Sequence, residues 1–106
     1  MRFGLLQEGL CDAGTDGHRR YREMIDEAVL AEECGFDFYA NSEQHFIVTS
    51  DLVSVSSPEF FLTVVAARTS RVRLRTASTA LLEFNHPVRV AERLVTLDVL
   101  SDGREL

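Results

Sequence analysis

Short apolar runs alternate with helical patterns along the whole chain, and no other feature limits the fold so tightly. Residues 2–6, 36–40 and 72–77 read as strands, and helical patterns follow them over 18–34, 57–68 and 85–100. In the first helix Tyr21, Met24, Ile25, Ala28, Ala31 and Cys34 recur at three- and four-residue steps, which puts them on one face. Gly35 stands where a left-handed cap residue belongs. Ser57-Pro58-Glu59 reads as a hydroxyl N-cap, a proline at the first helical position and an acid facing the positive end of the dipole. Asn85, with Pro87 two residues on, is expected to open the third helix. Strands that alternate with helices pair in parallel through right-handed crossovers. The pattern alone admits a doubly wound sheet or a segment of a barrel. The loop after the first strand carries Gly9, Gly14 and Gly17 but no G-x-G-x-x-G, so a dinucleotide-binding reading has no anchor. Long, polar-rich loops after the second and third strands favour the barrel, whose active-site loops lie on that side.

Composition narrows the function. At 106 residues the chain has room for one small domain, far short of the roughly 250 residues of a complete barrel. A net charge of −6 argues against a nucleic-acid footprint, and all 11 basic residues are arginine without forming a patch. Cys11 and Cys34 fit no metal or redox spacing, so no metal site is expected and a reduced, cytoplasmic setting is. No apolar stretch approaches the roughly 20 residues needed to span a bilayer, and the first residues do not make a signal peptide.

Several separated segments then share one resemblance: the start at Arg2, C-G-F-D-F-Y-A-N-S-E-Q-H-F at 34–46, V-R-L-R-T-A-S at 72–78, and H-P-V-R-V-A-E-R-L-V-T-L-D-V-L-S-D-G-R at 86–104. In this order they resemble the bacterial luciferase-like monooxygenases, flavin-dependent (β/α)₈ barrel enzymes. The resemblance implies that residues 1–106 are a single incomplete domain, the N-terminal three or so β-α units of a TIM barrel with parallel strands. It implies a parent enzyme that uses reduced FMN, supplied by a flavin reductase, and dioxygen to oxidise an aldehyde or another small organic substrate. The short chain alone is expected to be inactive. A homodimer or heterodimer through the second and third helices is also implied, near which His86, Arg89 and Glu92 match polar positions. A non-catalytic partner subunit and an F420-dependent oxidoreductase remain alternatives.

The candidate site residues follow. Glu43, Gln44 and His45, just past the second strand, are the catalytic candidates, since a carboxylate and an imidazole at a barrel mouth can move protons. The plainer reading is that Glu43 caps a turn and His45 packs as a semi-buried polar residue. The resemblance implies that His45 matches a position supporting the subunit interface, where its role would be a structural hydrogen bond. The resemblance implies that Glu43, Gln44, Ala77 and Ser78 line the isoalloxazine ring, and that Leu6 and Phe46 wall the substrate cavity. Luciferases proper usually read Glu-His-His-Phe, with the first histidine catalytic. Gln44 holds that place here, and an amide cannot store a proton near neutral pH. The family often has a cis peptide at the end of the third strand, whose counterpart would be Ala77-Ser78 or Ser78-Thr79. Arg75, where the family commonly has glycine, could meet a substrate carboxylate, pair with Glu43, or simply be ion-paired elsewhere. Asp98, Asp102 and Arg104 are expected to fix the turn after the third helix.

Overall fold

The computed structural model describes residues 1–45 and 50–105. The elements run β1 (Gly4–Gln7), α1 (Gly17–Glu33), β2 (Phe38–Ser42), α2 (Pro58–Arg68), β3 (Arg73–Ser78) and α3 (Pro87–Leu100). The strands form one parallel sheet in the order β1-β2-β3, with Leu5, Tyr39 and Leu74 in register across it. These residues point to the helices. They meet Met24 and Ala28 from α1, Phe61, Leu62 and Val65 from α2, and Leu97 from α3 in one buried cluster. The Tyr39 hydroxyl donates to the Met24 carbonyl at 3.1 Å, so the one polar atom of that ring is satisfied inside the core. The opposite face stays open: Leu6 is 53% exposed, and Arg75, also on that face, is exposed.

The α1 terminus shows why β2 starts later than its apolar run. Gly35 takes φ +80°, Phe36 N–H donates to the Ala31 carbonyl and Gly35 N–H to Glu32, which is a Schellman closure. Asp37 is then spent on Phe3, whose N–H it accepts at 2.7 Å while donating its own N–H back to the Phe3 carbonyl. Pairing therefore begins at Phe38 and runs on through Asn41 and Ser42, which the sequence had suggested were loop. At the other end of α1, Asp16 is the N-cap and accepts from Arg19 N–H at 3.1 Å.

Two expected caps are corrected. Ser57 makes no side-chain capping bond, and it is the Ser57 carbonyl that accepts from Phe60 and Phe61 as α2 begins. The N-cap of α3 is His86, whose Nδ1 accepts from Val88 N–H, while Asn85 is buried and turned to other partners. The turn after α3 behaves as expected. Arg104 donates to the carbonyls of Ser101 and Ala66 and to the Thr69 hydroxyl, each at 2.8 Å, and Glu105 N–H donates to Asp98. The Arg104 carbonyl accepts from Leu74 N–H, which lays the chain beside the outer edge of β3.

Candidate active site

The C-terminal ends of β1, β2 and β3 bring the predicted residues together. Glu8, directly after β1, grips both sides of the β2 end: one carboxylate oxygen accepts from the Ser42 hydroxyl and the other from Gln44 Nε2, each at 2.6 Å. Gln44 is therefore fixed as a donor toward Glu8, and its remaining side-chain atom is an acceptor oxygen. Glu8 was not anticipated, because its partners lie 34 and 36 residues downstream and no local pattern announces them.

Glu43 sits on the other side of the same strand end, with a side chain only 6% exposed. Its carboxylate accepts from Ala80 N–H at 3.0 Å, from Asn85 Nδ2 at 3.1 and 3.2 Å, and meets His45 Nε2 at 2.6 Å. It thus ties down the β3–α3 loop and meets an imidazole at once. Behind it, the Asn85 side chain accepts from Arg93, and Arg93 donates to Glu59 at 2.6 Å. Asn85, Arg93 and Glu59 are a second group that residue-by-residue reading missed. The His45 ring rests edge-on against Phe84, with centroids 5.1 Å apart.

Arg75 does not pair with Glu43. Its guanidinium lies 5.2 Å from the centroid of the Phe38 ring, a cation–π stack on the open face of the sheet. The cis peptide is likewise absent: every peptide bond among the described residues is trans. The irregularity at this strand end takes another form. Asn41 pairs with Thr76 but Ser42 pairs with Ser78, so Ala77 is passed over in a bulge. Ala77 and Ser78 are exposed at this bulge. Leu6 lies on the same open face, while Phe46 falls outside the described residues.

Loops wall one side of the mouth. Cys11 N–H donates to Asp51, Gly14 N–H to Ser50, and Val53 N–H to Gly9, so the segment after β1 is laced to the segment before α2. Gly9 has φ +82°, and a Cβ there would meet the Val53 carbonyl oxygen at 2.1 Å. Only glycine allows that approach. Among the described residues no group of three or more His, Cys, Asp or Glu is placed to hold a metal, and no helix is long and apolar enough to cross a membrane.

The luciferase-like monooxygenase family model matches residues 1–106. Limonene 1,2-monooxygenase of Rhodococcus erythropolis is 38% identical over 102 residues, covering 96% of this chain and 25% of that enzyme. The crystal structure of monooxygenase RslO1 from Streptomyces bottropensis superposes with a TM-score of 0.86 at 33% identity, over 99% of this chain and 31% of its own. The oxygenating constituent of 3,6-diketocamphane monooxygenase from Pseudomonas putida, solved with FMN, superposes at 0.84 with 23% identity, over 100% and 28%. The chain thus spans between a quarter and a third of the length of these three proteins.

Proposed function

The chain belongs to the luciferase-like monooxygenase family and forms N-terminal β-α units of its TIM barrel, and from that premise we propose that its parent protein is an FMN-dependent monooxygenase. The substrate class is an aldehyde or another small organic molecule, and a separate reductase supplies the reduced flavin. One observation carries the cofactor: Ala77 and Ser78, two small residues exposed where the bulge interrupts β3. A flat ring system needs close backbone approach, and small side chains permit it. When bound, the reduced flavin activates dioxygen.

The chain's own residues do the rest. Ala77 and Ser78 bed the ring, and Gln44, locked by Glu8, offers an acceptor at its rim. Gln44 cannot titrate. His45, 24% exposed and backed by Glu43 at Nε2, is the group in this turn that can hold and pass a proton. Leu6 and Phe46 wall the substrate side. Phe60, Val64, Val88, Val95 and Val99 are exposed apolar residues on α2 and α3, and they support a homodimer or heterodimer through those helices.

Fluorescence titration of the full-length protein with FMN and, separately, F420 tests the reading. Saturable FMN binding is expected, with no measurable FMN binding by residues 1–106, because barrels of this kind often grip the phosphate with loops after strands seven and eight. Preference for F420 would move the protein to the deazaflavin branch. FMN binding without oxygen uptake in the presence of reduced FMN and an aldehyde would mark a non-catalytic partner subunit.

A further inference from the structure

We propose that Asn85 and Arg93 are positioning residues for the Glu43–His45 pair, and that they act by fixing on which nitrogen His45 carries its proton. The argument starts from donors and acceptors. Arginine has five N–H donors and no acceptor. The Asn85 oxygen must therefore face Arg93, as it does, and the Asn85 NH₂ must face the other way. There it donates to both Glu43 oxygens and to the Ala80 carbonyl at 2.7 Å. A flipped amide would set its oxygen against three acceptors and its NH₂ against a guanidinium. Arg93 is itself held by Glu59, whose side chain is 12% exposed, so the orientation is set from α2 through α3 to the loop.

The consequence reaches His45. Glu43 is buried and both its oxygens accept N–H groups, one from Asn85 and the other from Asn85 and Ala80, so it meets His45 as a carboxylate acceptor. An ionised carboxylate can only accept. His45 Nε2, 2.6 Å away, must then carry the proton, which assigns the tautomer of the neutral ring. The relay spans Glu59, Arg93, Asn85, Glu43 and His45, and it turns an ambiguous imidazole into a defined one.

The kinetic consequence rests on the flavin reading, whereas the tautomer does not, so the experiment has separate arms. Full-length protein labelled with ¹⁵N-histidine is examined by long-range ¹H–¹⁵N correlation at alkaline pH, where histidine rings are neutral. Wild type should show protonated Nε2 and unprotonated Nδ1. Asn85→Leu and Arg93→Gln should give a mixture of tautomers, since glutamine can accept and thereby releases the amide to flip. Arg93→Lys, a donor only, should restore the wild-type signature. In oxygen-uptake assays Asn85→Leu and Arg93→Gln should lower kcat about a hundredfold with KM little changed, the scale expected of a misplaced catalytic group. If Asn85→Leu does not fold, the Arg93→Gln and Arg93→Lys pair decides. A single Nε2–H tautomer in folded Arg93→Gln would overturn the proposal. A shifted tautomer in a protein whose wild type shows no flavin-dependent uptake would leave it standing and remove the monooxygenase reading instead.

Discussion

The two ends of β3 are each closed by a glutamate, and the pair shows how one chemical group serves opposite purposes. At the strand's beginning, Glu32 from α1 accepts the N–H groups of Ser70, Arg71 and Val72. Partial burial alone would push that carboxyl up, but the three backbone donors and the Arg71 charge bring it down to about 2. Its partners are the three backbone N–H groups and the Ser70 hydroxyl at 3.3 Å, all from one short stretch before β3, so it shapes a turn. At the strand's far end Glu43 accepts one backbone N–H, from Ala80, and otherwise touches side chains that can donate, flip or titrate. In a barrel the first position belongs to the face associated with stability and the second to the face that carries chemistry. On the proposed function, the turn-shaping carboxylate differs from the proton-handling one in the kind of partner it keeps: neighbours along one stretch of chain for Glu32, side chains from separate elements for Glu43.

The sharpest test of that contrast is kinetic. In the full-length enzyme Glu43→Gln should lower the single-turnover rate with reduced flavin by about 10²–10⁴-fold, the usual contribution of a general acid or base system. Glu32→Gln should leave that rate unchanged while lowering stability. Equal rates in the two variants would erase the distinction.

A second test compares the two faces of the sheet. Leu74 is fully buried beneath the helices, so Leu74→Ala should cost about 2–5 kcal/mol in chemical denaturation. Leu6 is half-exposed on the open face, and Leu6→Ala should stay within about 0.5 kcal/mol in the 106-residue chain. A large Leu6 effect would mean that the open face is already covered in solution.

The pH dependence of stability should separate two carboxyls of opposite sign. Glu32 has a folded value below its ordinary 4.5. Its contribution is present above that value and is lost as pH falls toward about 2, and solvent screening keeps it small. Burial, with Asp98 nearby, pushes Glu105 up to about 7 against the opposing Thr76 N–H and the charges of Arg75 and Arg73. Its effect is therefore a loss of stability as pH rises from about 4.5 through 7. Denaturation midpoints across pH should show Glu105→Gln removing the decline near neutrality and Glu32→Gln removing the one in acid. The smallest effect expected is that of Gln44→His on folding: the imidazole fits where the amide stands, so the melting temperature should hold while a new titrating group enters the turn.

The element order was legible because helix faces and caps are local: the α1 periodicity, Gly35 and the Pro58 start all have partners within one turn. Strand frames were less so, since Phe36 is consumed by helix closure and Asp37 by Phe3, which is distant in sequence. Of the site, the Glu43, Gln44 and His45 cluster could be read from its place after a strand. Asn85 looked like a cap because its true partners, Glu43 and Arg93, are set by the way α3 folds back over the β2 end. The cis peptide was an inference from likeness; the same strand end carries a bulge at Ala77 instead.

The lacing of the segment after β1 to the segment before α2 has an evolutionary corollary. Gly9 admits no side chain while the Val53 carbonyl lies against it, and three backbone bonds cross between the strips. Neither strip can be lengthened or exchanged alone without breaking its partner's bonds. For anyone recombining members of this family to change what they oxidise, the two stretches form one cassette, to be moved together or left in place.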